Sequence, residues 1–336
     1  MIIAQNINKN FKVKTNRGIF QRSNISEVTV VNNVSLKIEP GKIVGLLGIN
    51  GAGKTTTIKM LSGMLQPTSG NIFMDDIDVV KNHKLIKKYI NVITGGERNI
   101  YWRLTAKENL EYFGALYGLK KQELKNRIDY VLNLVGLTEV KDQEVEKYSK
   151  GMKQRLQIAR GLINNPKYIF LDEPTLGLDI NIAKEMRNYI RGLAQNEKKG
   201  ILLTTHYMFE AEELCDYIYV IDKGKIIMEG TPKELKEKVK SNTEIIITTE
   251  DNIDNIKAGI ISFIDNNGEK LEFISEDSVN KIKYISNKHD IVGLLNFITR
   301  YNISISDIKI KETNLEDIIL EIISGGNNID EFHKSS

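Results

Sequence analysis

The chain has 336 residues, 41% of them hydrophobic, and its 47 basic and 44 acidic side chains leave a net charge of +3. That is enough apolar material for two cores, and too small an excess of charge for a dedicated nucleic-acid binder, which needs a strongly basic face. The single cysteine, Cys215, excludes an internal disulfide, no apolar run approaches the ~20 residues that span a bilayer, and no secretory leader pattern is present, so work in the cytosol is expected.

In chain order, Asn6-Ile-Asn-Lys-Asn-Phe11 sits in a first strand region. The stretch after it, from Lys12 to Arg22, carries Lys12, Lys14, Arg17 and Arg22 before the first acid, Glu27. It reads as a solvated loop, with contact to anionic lipid or a partner subunit as the second reading. Ile43-Val-Gly-Leu-Leu47 predicts a short buried strand, and Thr56-Thr-Ile-Lys-Met-Leu-Ser62 has helical apolar spacing.

Between them lies Gly48-Ile-Asn50-Gly51-Ala52-Gly53-Lys54-Thr55, a G-x-x-x-x-G-K-[ST] phosphate loop running into Thr56. Its glycines let successive N–H groups turn inward around a phosphate, and the helix dipole adds partial positive charge there. Lys54 is placed to reach β- and γ-phosphates, and Thr55 to offer its hydroxyl to Mg²⁺. A phosphate loop alone states only nucleotide binding.

Further on, Tyr101-Trp102-Arg103 gathers residue types that dominate interface energetics, although packing of Trp102 beneath the next helix is a competing reading. Tyr148-Ser149-Lys150-Gly151-Met152-Lys153-Gln154-Arg155 runs into the amphipathic Leu156–Leu162, so Ser149 and Gly151 open a helix and form a second anion site. Since the chain already owns a phosphate loop, this second site is expected to serve a nucleotide held by another copy. Lys167-Tyr-Ile-Phe-Leu171 predicts a strand that ends in Asp172-Glu173-Pro174. Asp172 is suited to Mg²⁺ and Glu173 to orienting or deprotonating a water. Leu202-Leu-Thr-Thr-His206 places an imidazole at the sheet's C-terminal edge, whereas His83, His289 and His333 read as ordinary surface or core residues.

In this order the motifs resemble the ATPase subunits of ATP-binding cassette (ABC) transporters, over about residues 1 to 235. The resemblance implies an α/β phosphate-loop NTPase fold: a RecA-like core with an antiparallel β subdomain and a helical subdomain. It implies a head-to-tail homodimer holding ATP and Mg²⁺ between the phosphate loop of one copy and the signature Ser149, Lys150, Gly151, Met152 of the other. Thr175-Leu-Gly-Leu-Asp179 becomes the D-loop, with Asp179 at the seam or simply capping a helix that begins near Ile182. Lys54, Glu173 and the switch residue His206 become catalytic, with His206 directed at the γ-phosphate, and Thr55 and Asp172 become metal ligands. Phe11 is the nearest match to the aromatic that stacks on adenine, with Phe20 in reserve. An integral membrane permease, encoded separately, is the implied partner, and the cytoplasmic face of the membrane the implied place of work.

Two departures from the family pattern stand out. In Ile90-Asn-Val-Ile-Thr-Gly-Gly-Glu-Arg98, Gly96 occupies the place of the usual glutamine, and Glu97 is the candidate replacement as an oxygen ligand near Mg²⁺. Lys150 replaces the first signature glycine, and its bulk requires its side chain to point away from a partner's nucleotide.

Composition changes after Thr231-Pro232. Lys233–Lys240 reads as a short charged helix with Leu235 and Val239 on its packing face. Strand patterns at Glu244–Thr248, Lys270–Ile274, Lys281–Ile285 and Ile303–Ile308, with a helical stretch at Ile291–Ile298, predict a small α+β domain over 243–325, ferredoxin-like in one reading. Residues 326–336 read as a frayed tail. Asn314-Leu-Glu-Asp-Ile-Ile-Leu-Glu-Ile-Ile323 resembles the tail of exporter-type ATPases of the ABC-2 class. The expected function is thus the ATP-hydrolysing subunit of an ABC-2 export complex. The alternative is a soluble, non-transport ABC ATPase of translation or DNA maintenance, which usually carries two cassettes or a coiled-coil insertion. A phosphate-loop kinase or GTPase is opposed by the signature and D-loop.

Overall fold

The computed structural model describes residues 1–15, 24–94, 100–238, 243–249, 270–276, 279–286, 299 and 304–312. Gly95, Gly96, Glu97, Phe20, Val239, His289, His333, the Ile291–Ile298 stretch and the tail from Asn314 lie outside them. The chain divides into two units, Met1–Pro232 and Lys233–Ser336.

The first unit opens with β1 (Ile2–Thr15), β2 (Asn24–Ile38), β3 (Ile43–Leu47), α1 (Lys54–Leu61), β4 (Ser69–Met74), β5 (Ile77–Asp78), α2 (His83–Ile86) and β6 (Ile90–Thr94). It continues with α3 (Ala106–Leu116), α4 (Lys121–Leu134), α5 (Lys150–Leu162), β7 (Tyr168–Asp172), α6 (Ile180–Gln195), β8 (Gly200–Thr205), α7 (Met208–Leu214), β9 (Tyr217–Asp222) and β10 (Lys225–Gly230).

Two sheets result. An antiparallel one runs β2-β1-β4-β5, and a second runs β10-β9-β3-β8-β7-β6, parallel except at the β10 edge. Every residue of β3 and β8 is buried, as expected of parallel strands covered on both faces. Gly45 has no room for a side chain: a Cβ there would come within 2.9 Å of Cys215 Sγ and of Leu47 Cδ1. Cys215 is accordingly a packing residue, buried at the C-terminal end of α7, with its thiol pKa driven up by burial. One core joins Ile7, Val34 and Ile38 of the antiparallel sheet to Leu61 of α1 and to Leu46, Phe170 and Ile221 of the parallel sheet. That core fixes the phosphate-loop helix against the strands it follows.

The loop reading of Lys12 to Arg22 is corrected over its first four residues, and residues 16–23 lie outside the described residues. Lys12 to Thr15 belong to β1, with Lys12 opposite Glu27 and Thr15 opposite Asn24. Phe11-Lys12-Val13-Lys14 alternates apolar and charged residues as a strand does, and the Lys12–Glu27 pair adds an opposite-charge contact across the ladder.

Helices α3, α4 and α5 pack on one another. A capping box, with Thr105 and Glu108 each bonding the other's backbone, starts α3. One turn in, the buried Asn109 accepts from Tyr101 N at 2.8 Å and donates to the carbonyls of Tyr101 and Thr105, both at 2.9 Å. This pins the segment ahead of α3 and displays Tyr101, Trp102 and Arg103 at the surface.

In the second unit, α8 (Pro232–Lys238) precedes β11 (Thr243–Thr249), β12 (Lys270–Glu276), β13 (Val279–Ser286) and β14 (Asp307–Glu312). The strands form an antiparallel sheet in the order β12-β13-β11-β14, with Ile245, Ile247 and Ile282 buried on one face. Ile303 lies outside the described residues; β14 begins at Asp307, after Ser306 bonds Thr248 O through both its N–H (2.9 Å) and its hydroxyl (3.1 Å). No helix of the described residues is long and apolar enough to cross a membrane.

Candidate nucleotide site

Three strand ends meet at the site. Leu47 at the end of β3 is opposite Thr205 of β8, and Thr204 of β8 is opposite Asp172 of β7, so residues far apart in sequence emerge side by side. The phosphate loop leaves β3 there. Gly51 and Gly53 have φ of +85° and +109°, and a Cβ on Gly48 would lie 2.2 Å from Ile221 O. These positions need glycine for backbone conformation and for close approach, respectively. Gly53 caps α1 without a side chain, and the first turn carries no acid, so its N–H groups face outward for an anion. Asn50, Gly51 and Thr55 are exposed, Thr56 is half-buried and Ala52 is buried.

Lys54 is 6% exposed. Its ammonium donates to Gly48 O at 2.6 Å and to Ile49 O at 3.2 Å, which places the charge inside the loop it belongs to. Burial lowers its pKa, while the carboxylates of Glu173 and Asp172 pull the other way.

Asp172 is held from two sides. Thr55 Oγ1 donates to Oδ2 at 3.1 Å, and Thr204 Oγ1 to Oδ1 at 2.5 Å. The sequence reading missed Thr204, although a polar pair, Thr204-Thr205, at the end of an otherwise apolar strand was the signal for it. A hydroxyl and a carboxylate converging beside the phosphate loop are the hard oxygen donors that Mg²⁺ takes. Among the described residues no group of three or more His, Cys, Asp and Glu side chains could hold a metal by itself. Such a site suits an ion that draws the rest of its oxygens from phosphate.

Glu173 has φ of +52°, a left-handed conformation rare outside glycine, and its N–H donates to Thr204 O at 3.0 Å. That backbone turn sets its carboxylate beside the switch histidine, with His206 Nδ1 3.2 Å from Glu173 Oε1. The side-chain partner of His206 in this structure is thus Glu173, the expected water-orienting acid.

Past Glu173, the loop is gripped from both sides. Gln154 Nε2 donates to Pro174 O at 2.8 Å, and Thr175 Oγ1 donates to the buried Glu210 Oε1, also at 2.8 Å. Sequence reasoning passed over both residues, since nothing local marks a helical Gln or Glu as facing inward. Burial raises the Glu210 pKa, opposed by hydrogen bonds from Thr205 and Thr175 and by the charges of Arg187 and His206. A carboxyl with a raised pKa in the folded state contributes stability below its unfolded value of 4.5 and loses it as pH rises through the folded one. Glu210→Gln is therefore expected to raise Tm relative to the parent chain more at pH 8 than at pH 5. Calorimetry at the two pH values checks this; an equal shift at both would show that the carboxyl does not resist ionisation.

The segment read as a second anion site has a definite geometry. Ser149 caps α5, its Oγ accepting from Met152 N at 3.2 Å. A Cβ on Gly151 would lie 2.4 Å from Ile182 Cδ1, so α6 packs on the bare backbone of α5. Lys150 turns aside, and its ammonium donates to Gly177 O. Asp179 caps α6, accepting from Ile182 N at 3.0 Å, and the helix starts at Ile180, two residues before its expected start. Phe11 lies in β1 opposite Val28, 37% exposed, with the Lys9 ammonium 5.3 Å from its ring centre.

Comparison with known proteins agrees with this geometry. The sequence profile of the ABC transporter family matches residues 31–176. The chain is 44% identical over 214 residues to the ABC transporter ATP-binding protein NatA of Bacillus subtilis (strain 168), an alignment covering 64% of this chain and 87% of NatA. It is 33% identical over 331 residues to the linearmycin resistance ATP-binding protein LnrL of the same organism, covering 96% and 98%. Among solved structures, the dimeric structure of a bacterial ABC transporter cassette superposes with a TM-score of 0.59 at 24% identity, over 69% of this chain and 98% of that one. With the phosphate loop, the Asp172–Glu173 pair, the capped α5 and the switch histidine in one fold, the chain belongs to the ABC transporter family, as an ATP-binding subunit with ATPase activity.

Proposed function

We propose that two copies of this chain close head to tail on two ATP molecules, with Mg²⁺ held at Thr55 and Asp172, and that closure and hydrolysis drive a separately encoded membrane permease that exports its substrate. The observation that carries this reading is apolar exposure around the site. Ile49 of the phosphate loop, Leu176 and Ile180 around the D-loop, and Tyr207 beside the switch histidine are exposed, Ile180 to 84%. Uncovered apolar side chains on the phosphate loop, around the D-loop and beside His206 call for a partner surface. The pairing partner of the same fold is a second copy, whose Ser149-capped helix meets the γ-phosphate end of the nucleotide while Asp179 lies at the seam.

Within each site the chain's own groups divide the work. The loop from Gly48 to Thr56 wraps the phosphates, Lys54 balances their charge, Glu173 orients the attacking water and accepts its proton, and His206 holds Glu173 in place. Mg²⁺, when bound, neutralises phosphate charge. Phe11 is assigned to the adenine, and Glu97 to the oxygen that glutamine supplies elsewhere in the family. Export is favoured because LnrL, which aligns with 96% of this chain, is named a linearmycin resistance protein, and outward movement is the direction of transport that fits resistance. The working place is then the cytoplasmic face of the membrane.

The permease is assigned to the surface around Trp102. Tyr101, Trp102, Tyr112 and Leu116 are exposed together, Tyr101 packs edge-to-face on Tyr112 at 5.1 Å, and the Lys153 ammonium lies 4.3 Å from the centre of the Trp102 ring. The Trp102 carbonyl accepts from Glu146 N at 2.8 Å, which links this patch to the segment leading into Ser149. Trp102→Ala should leave the ATPase of the isolated subunit within about twofold and weaken co-purification with the permease at least ~30-fold, the loss expected of an interface hot spot. Unfolding of the isolated variant, or full permease binding by it, would overturn the assignment.

A further inference from the structure

We propose that Lys150 is a positioning residue. Through the Gly177 carbonyl it ties the first turn of α5 to the loop that carries Glu173, so the helix that meets a partner's nucleotide also sets the hydrolytic carboxylate of its own site. The inference rests on the hydrolytic reading above and goes beyond it, since it assigns a task to the residue that breaks the signature pattern.

Its position is the first sign. A lysine in the first turn of a helix meets the positive end of the dipole and weakens the helix. Lys150 occupies that place on α5, and no acid lies in the same turn to offset it. Its ammonium is spent on the Gly177 carbonyl of another loop. Gly177 suits the contact, with φ of +70° and a vacant Cβ position only 2.7 Å from Lys150 Nζ. One turn along the same face of α5, Gln154 holds the Pro174 carbonyl at 2.8 Å. Two side chains of one helix thus grip both ends of the four-residue segment from Pro174 to Gly177.

That segment is stiff. Leu176 N donates to Glu173 O at 3.3 Å and Leu178 N to Thr175 O at 3.1 Å, two overlapping turns that begin at Glu173. Glu210 anchors the far side through Thr175. Ile182 against bare Gly151 leaves α5 and α6 no slack at the other end of the loop. A displacement of the α5 N-terminus is therefore passed to Glu173 through Lys150 and Gln154 instead of being absorbed between them.

Steady-state ATPase of the full-length chain, in its permease complex, tests this with Lys150→Met and Lys150→Arg. Loss of a charged hydrogen bond that positions a catalytic group should lower kcat about tenfold in Lys150→Met while KM for ATP stays within about twofold, and Lys150→Arg should recover most of the loss. ATP-dependent dimerisation of Lys150→Met, measured in a Glu173→Gln background, should persist. Unchanged kcat in Lys150→Met would overturn the inference, as would an arginine variant as slow as the methionine one. A raised KM or lost dimerisation with kcat intact would also overturn it, because Lys150 would then act on the partner's nucleotide. If the parent chain itself fails to hydrolyse ATP, the hydrolytic reading falls, and that failure is distinguishable from the others.

Discussion

Glu173→Gln is expected to lower kcat for ATP hydrolysis by about 10²–10³-fold while ATP affinity stays within about twofold, because it removes a base and leaves the binding groups in place. Glu173 makes no hydrogen bond to the phosphate loop among the described residues; its recorded side-chain partner is His206 at 3.2 Å. Glutamine keeps the shape and can still bond the imidazole, but it cannot take a proton from water. In the proposed cycle closure requires ATP and reopening requires its hydrolysis, so the variant should accumulate as an ATP-bound dimer visible by light scattering. Lys54→Ala gives the contrast. It empties the phosphate loop of its only buried cation and should abolish nucleotide binding, and with it the dimer. Full turnover by purified Glu173→Gln complex would take Glu173 out of the mechanism.

The second large effect is expected from Ser149→Arg. Removing the serine cap at Met152 N costs about 1 kcal/mol locally, too little to unfold a chain of this size. The phosphate loop belongs to other elements, so ATP binding by a single chain should be unchanged. A long cation at the start of α5 would instead obstruct the place where the proposed dimer puts a partner's triphosphate, and dimerisation of the hydrolysis-blocked form should weaken by more than ~100-fold. Sedimentation of Ser149→Arg combined with Glu173→Gln, with ATP present, decides it. Normal dimerisation in that experiment would show that the signature does not face the partner's nucleotide.

What the sequence discloses and what it hides follow from the range over which each feature is built. The phosphate loop, the apolar strand ahead of it and the acid pair after Leu171 are contiguous, so each carries its own meaning. The convergence of Thr55, Asp172 and Thr204 is not contiguous. It arises from the adjacency of β3, β8 and β7, and no spacing in the chain encodes that order. Lys12 to Thr15 continue a strand that the run of cations disguises as a loop, although Phe11-Lys12-Val13-Lys14 alternates apolar and charged residues and pairs with the strand from Asn24. In the second unit, apolar alternation does not disclose that Ser306, through its two bonds to Thr248 O, precedes the start of β14 at Asp307. Bulk alone required Lys150 to leave the nucleotide side, whereas its acceptor depends on where the D-loop lies. The part played by Glu97 falls outside the described residues.

The left-handed backbone of Glu173 carries one more consequence. A side-chain-bearing residue in that conformation costs on the order of 1 kcal/mol relative to glycine. Folding alone would favour glycine or asparagine at this position, and the proposed role of Glu173 in turnover forbids both. Glutamine inherits the same backbone penalty, so the trapped dimer gains nothing in thermal robustness from the substitution itself. A laboratory campaign ranking variants by heat resistance would therefore drift toward silent ATPases at position 173, and only a screen that scores transport would hold the glutamate there.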